Sequence, residues 1–137
     1  MYDSNKGKYV KKGTTTSTAC KISKLTAGTI YKFKVRAINS SSKGAYSSVL
    51  KTATKTKTPT IKKTTAGTKK ATIKWGKISG ATGYEVYMST SKNGTYKKVK
   101  TVKISSTVKY TKTKLKKNKK YYFKIRTYKT VSRKQNI

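Results

Sequence analysis

Asp3 and Glu85 are the only carboxylate side chains in a 137-residue chain that has no His and a single Cys, Cys20. General acid–base catalysis draws on His or paired carboxylates, and two acids are all this chain offers. Oxygen-rich Ca²⁺ or Mg²⁺ sites need several carboxylates, and zinc sites need His and Cys in numbers. One Cys can form neither an intramolecular disulfide nor a thiolate cluster. The expectation is therefore a protein that is not an enzyme, with no catalytic residues, metal ligands or cofactor-binding residues.

The remaining chemistry is cationic. Thirty-six Lys and Arg against two acids leave a formal charge of +34, so nearly all these cations must be solvated or face an external anion. Nucleic acid is the generic anionic partner, but the devices that read sequence are missing: no groove-entering helix, no zinc finger and no RNP-like aromatic pair. Arg, the residue suited to bidentate phosphate contacts, occurs only as Arg36, Arg126 and Arg133. Lys is spread as a field over strand faces, for example Lys32, Lys34, Lys97, Lys98 and Lys124, and the ligand of these faces is left unspecified. Cys20 is expected to be a small buried apolar residue.

Hydrophobic residues make up only 33% of the chain, a composition that by itself leans toward disorder. Against that, Pro59 is the only proline, and 11 Tyr, 2 Phe and 1 Trp supply rings that basic tails lack. No run approaches the roughly 18 apolar residues of a membrane span, and Met1–Gly7 has no apolar stretch of the signal-peptide kind.

Period-two alternation places the chemistry on strands. Tyr31–Ala37, Ala71–Trp75, Tyr84–Met88 and Tyr121–Arg126 each alternate apolar and polar residues, rich in β-branched and aromatic types. Asn93-Gly94 is a strong hairpin-turn signal, with Ala27-Gly28, Lys43-Gly44 and Ser79-Gly80 as weaker ones. The expected fold class is all-β. Leu25, Tyr31, Phe33, Val35 and Arg36 recur 90 positions later as Leu115, Tyr121, Phe123, Ile125 and Arg126. Gly7-Lys8-Tyr9 recurs 87 later as Gly94-Thr95-Tyr96. A period near 90 suits a sandwich domain and divides the chain into modules at 1–57 and 58–137.

The twice-present Leu-x₅-Tyr-x-Phe-x-Val/Ile-Arg pattern, with Trp75 on an early strand and Tyr84-x-Val86 on the next, resembles the fibronectin type III domain. That resemblance implies an antiparallel immunoglobulin-like β-sandwich, with Leu25/Tyr31 and Leu115/Tyr121 forming tyrosine corners at the entry to strand F. Phe33, Trp75, Tyr84, Val86 and Phe123 would be core residues. It also implies that the first module keeps only C′, E, F and a G strand near Val49, without A and B. The second would run A (around Ile61), B (Ala71–Trp75), C (Tyr84–Met88), C′ (Tyr96–Val102), E (Thr107–Thr111) and F (Tyr121–Thr127), stopping where G is expected. This organisation reads as an excerpt of a longer array, or as one completed by strands from neighbouring chains.

Residues 83–96 are similar to tandem modules of low-GC Gram-positive surface proteins and secreted hydrolases. The resemblance implies a non-catalytic extracellular or cell-wall spacer and adhesion module, its partners anionic wall polymers, acidic polysaccharide or neighbouring domains of a longer chain. The alternative from composition is an intracellular polyanion- or nucleic-acid-binding protein. Tyr87, Tyr122 and Tyr128 are the outward-facing aromatics that either reading could use.

Overall fold

The computed structural model describes residues 1–132, and over that span the chain is all-β with antiparallel pairing throughout. Cα proximity divides it between Lys55 and Thr56 into a first unit built on Met1–Lys55 and a second of Thr56–Thr130. The division falls two residues before the expected start of the second module. Val131 and Ser132 lie outside the second unit, and the expected end of that module at Arg133–Ile137 is outside the described residues.

In the second unit six strands form two three-stranded sheets. β5 (Ile61–Gly67), β6 (Lys70–Trp75) and β9 (Lys109–Lys112) make one, in the order β5-β6-β9. β7 (Gly83–Ser89), β8 (Lys97–Val102) and β10 (Tyr122–Tyr128) make the other, in the order β10-β7-β8. Alternation carries the inward residues of both sheets into one core of Ile73, Trp75, Tyr84, Val86, Val102 and Ile125, with Ile78, Val99, Val108, Tyr110 and Phe123 packed against it. Trp75 and Tyr84 meet edge-to-face, ring centroids 5.4 Å apart, a favoured geometry for aromatic quadrupoles. Burying each such large side chain stabilises by roughly 1.5–3 kcal/mol. The buried Tyr84 hydroxyl is satisfied: it accepts the Ile78 N–H at 3.0 Å and donates to the Ser105 carbonyl at 3.2 Å.

The first unit has four short strands in two pairs. β1 (Tyr2–Asp3) bonds to β2 (Lys8–Tyr9), and β3 (Ile30–Phe33) bonds to β4 (Leu50–Ala53). The expected E strand does not form: residues 10–29 contain no strand, and Cys20 is exposed rather than buried. The second unit supplies the reason. There β9 takes its hydrogen bonds from β6, and no strand corresponding to β6 exists in the described first unit, so the segment around Cys20 has no ladder to join. Its counterpart Tyr110, on β9, is half-buried.

The strand-F corners have the same geometry in both units. Lys24 and Lys114 both adopt left-handed backbone (φ 56° and 58°), as do Gly28 and Asn118 (φ 66° and 53°). Each pair is one repeat apart, and Asn is the side chain that best replaces Gly there. Tyr31 Oη accepts the Thr26 N–H at 2.9 Å, and Tyr121 Oη accepts the Lys116 N–H at 3.1 Å.

The Asn93-Gly94 signal marks the β7–β8 hairpin, but its connection is longer than a two-residue turn and places the Gly94 N–H on the Ser91 carbonyl at 3.3 Å.

Candidate polyanion-binding faces

On the second unit's β10-β7-β8 sheet, the residues that alternate away from the core are Glu85 and Tyr87 on β7 and Lys124 and Arg126 on β10. Register sets Arg126 directly opposite Glu85, and Lys124 and Lys98 on either side of Tyr87. Glu85 therefore becomes a hub. It accepts hydrogen bonds from Lys98 Nζ at 3.0 Å, from Arg126 Nε at 2.5 Å and from the Tyr87 hydroxyl at 2.9 Å. The hydrogen bonds from Lys98 and then Arg126 hold its pKa down at about 2, against an ordinary 4.5. The same contacts raise the pKa of Lys98 and of Arg126. Desolvation, and then the bond to Glu85, push the Tyr87 phenol up.

Rings line the same face. Lys124 Nζ lies 4.0 Å from the Tyr96 centroid, and the Arg126 guanidinium 5.1 Å from that of Tyr87, within the range of cation–π attraction. Tyr128 lies across Gly83, where an added Cβ would come within 2.1 Å of the Val102 carbonyl oxygen and 2.8 Å of the Tyr128 hydroxyl. Only glycine fits there.

The first unit builds a related face without a carboxylate hub. Beyond β3 the chain continues as a hairpin: Ser47 N–H bonds Val35 O, Gly44 N–H bonds Ala37 O, and Ile38 bridges Lys43. The Asn39 side-chain oxygen closes the tip by accepting the Ser41 and Ser42 N–H groups at 3.0 and 2.7 Å. This ladder sets Tyr46 beside the alternating cations Lys34 and Arg36. Lys34 Nζ is 4.4 Å from the Tyr9 centroid and 3.9 Å from that of Tyr46, Arg36 is 4.6 Å from the same Tyr46 ring, and Lys32 is 5.0 Å from Tyr2. Lys34 on Tyr9 is the repeat counterpart of Lys124 on Tyr96.

A third cationic surface is the outer face of β5-β6-β9. Lys63, Lys74 and Lys109 lie on one rung across three strands, next to a rung of Thr65, Thr72 and Thr111. Thr72 and Thr111 share a hydroxyl hydrogen bond of 2.8 Å. Like charges directly opposite across strands repel, and among the described residues no acid forms a salt bridge with this row.

Of the lysines singled out in the sequence, Lys32 and Lys34 are half-buried against rings, Lys98 is paired to Glu85, Lys124 lies on Tyr96, and Lys97 is an exposed residue of β8. Lys32 and Lys34 belong to the first unit, and in the second Lys98 and Lys124 flank Tyr87 on one rung. Tyr87, Tyr122 and Tyr128 face outward and are half-buried. Sequence reading missed Tyr2, Tyr9, Tyr46 and Tyr96 as cation platforms and Glu85 as a hub. The legible signal was parity: Lys32, Lys34 and Arg36 alternate on one strand face, and Glu85 shares parity with Tyr87. Trp75, Tyr84, Val86 and Leu115 are buried, while Leu25, Tyr31, Phe33, Tyr121 and Phe123 are half-buried. Among the described residues no three His, Cys, Asp or Glu side chains cluster as metal ligands, and no helix is long and apolar enough to cross a membrane.

The profile of the Fibronectin type III domain matches residues 2–53. Fibronectin type III is the family of this segment. The crystal structure of the FN1–FN3 domains of chicken CNTN1 is similar in fold, with a TM-score of 0.52 at 20% identity. The likeness covers 77% of this chain and 39% of that one, so the chain spans about two fifths of the solved protein. No curated protein matches by sequence. The two-sheet second unit, with its β5-β6-β9 and β10-β7-β8 sheets, has the fibronectin type III arrangement of an immunoglobulin-like sandwich. Modules of this kind are commonly non-catalytic spacers and adhesion units of extracellular proteins.

Proposed function

We propose that the chain is a non-catalytic spacer and adhesion segment of an extracellular or cell-wall protein, and that its Lys-rich faces contact anionic polymers of a bacterial surface. The observation that carries this reading is the outward chemistry of the sheets. Cations are fixed on tyrosine rings in both units, and Glu85 alone pairs with any of them by salt bridge among the described residues. Such a surface holds counter-anions by long-range attraction that salt weakens. The fibronectin type III scaffold and the similarity of residues 83–96 to tandem modules of Gram-positive surface proteins support an extracellular setting and anionic wall polymers as the partner.

The test is sedimentation of the labelled protein with isolated Gram-positive walls before and after acid extraction of their phosphodiester polymers. Binding that disappears after extraction supports the reading. Equal binding to extracted and intact walls, or none to either, overturns it.

A further inference from the structure

The cationic faces differ in how they are built, and that difference picks out one of them. In the second unit Glu85 already occupies Lys98 and Arg126 as an internal anion. On the Lys63–Lys74–Lys109 rung the side chains have register but no platform. In the first unit two cations converge on one ring, Lys34 at 3.9 Å and Arg36 at 4.6 Å from the Tyr46 centroid, while Lys34 also rests on Tyr9 and Lys32 on Tyr2. Tyr2 and Tyr9 brace each other edge-to-face at 5.3 Å. Among the described residues no carboxylate forms a salt bridge with any of these three cations. Asp3, the nearest acid in sequence, spends an oxygen on the Asn5 and Lys6 N–H groups at 3.1 and 3.3 Å.

Fixing two like charges on one ring costs Coulomb energy that an anion between them would recover. The rings restrain long side chains that otherwise lose rotamer freedom on binding, so the site is organised before a ligand arrives. We propose that Lys34 and Arg36 on Tyr46, with Lys32 on Tyr2, form an oxyanion-binding site that takes the charged groups of a linear polymer without aromatic bases. The ring faces carry cations, so an incoming base would have to displace them in order to stack, which disfavours single-stranded nucleic acid. The inference rests on the polyanion reading above and deepens it by assigning the contact to one face and one class of ligand.

The full chain is titrated with linear inorganic polyphosphate at about 0.15 M salt, with a circular-dichroism check of folding for every variant. Lys34→Gln/Arg36→Gln is compared with Lys63→Gln/Lys74→Gln, which removes the same charge from a face without rings. The expected result is a loss of about tenfold or more for the first pair and about threefold or less for the second, because undirected electrostatic binding counts charges rather than places. Tyr46→Ala, which changes no charge, should lose about fivefold on removal of the cation–π platform. Equal losses in the two double variants, or no loss in Tyr46→Ala, overturn the site while leaving the general polyanion reading intact. Oligothymidylate binding tighter than polyphosphate of equal charge overturns the choice of ligand. Absence of any binding by the unaltered chain overturns both readings.

Discussion

The two units carry the same strand-F signature and make very different interiors of it. Ile125 is 8% exposed on β10, whereas its repeat counterpart Val35 is 71% exposed. Leu115 is buried, whereas Leu25 is half-buried. Both tyrosine corners keep their hydrogen bond and both corner backbones turn left-handed at the same two positions. The corner is thus a local object that the chain makes from nearby residues. The core is not: Ile125 is buried because β5, β6 and β9 supply Ile73, Trp75 and their neighbours on the facing sheet. In the first unit Leu50 on β4 and Val35 in the hairpin beyond β3 have no such sheet over them. A profile that recognises residues 2–53 therefore recognises the half with the poorer core.

The comparison can be broken most directly at the aromatic centre. Trp75→Ala should cost about 3–5 kcal/mol and unfold the second unit first in urea, with Val35→Ala changing stability by less than about 0.5 kcal/mol. Denaturation followed by backbone amide NMR reads the two units separately. A comparable cost at Val35 would mean that the first unit buries a core of its own. Gly83→Ala should follow at about 2–3 kcal/mol of overpacking, since the new methyl meets the Val102 carbonyl, a backbone atom that cannot swing away. A neutral effect on the urea midpoint would remove that steric account.

Smaller effects sharpen the contrast. Tyr121→Phe and Tyr31→Phe each delete one hydroxyl acceptor, a loss of about 1 kcal/mol. If the corners are local objects, the two costs should agree within a factor of about two despite the difference in core. A large cost at Tyr121 with none at Tyr31 would make the corner a product of the core.

Glu85 gives a pH signature confined to the second unit. Its pKa is depressed in the folded state, so its contribution is present above the ordinary carboxylate value of 4.5 and is lost as pH falls toward about 2. Glu85→Gln should flatten the acid limb of the second unit's stability curve in that window and leave the first unit's unchanged. An identical acid limb in the variant would refute the hub. The mildest expectation covers the whole chain. Lysines opposed across strands, Lys32 to Lys51 and Lys63 to Lys74 to Lys109, should make the melting temperature rise as salt shortens the Debye length from about 30 Å to below about 8 Å. A melting temperature that does not move would show these rungs to be already screened.

Much of the fold was legible in the residues. Three strands of the second unit, β6, β7 and β10, lie where alternation placed them, because a half-buried strand must alternate, and β5, β8 and β9 lie where the fibronectin type III resemblance implied A, C′ and E. The E strand of the first unit was carried over from the family pattern, and it fails because a strand needs a hydrogen-bonding neighbour, which a pattern match cannot supply. The cationic faces were legible as parity and not as contacts. Lys34 on Tyr9 and on Tyr46 joins residues from β2, from the chain after β3 and from the far side of a hairpin, and nothing in their spacing announces that meeting.

By itself, then, the sequence determined the charge, the poverty of acids, the period of two and the period of 90. Together these point to strands with cationic outer faces. Tertiary structure alone decided which of two similar repeats has a core, which lysines rest on rings and which are neutralised by Glu85. Those outcomes depend on which strands lie beside and across from one another, and pairing between distant segments is energetic information that no local pattern contains.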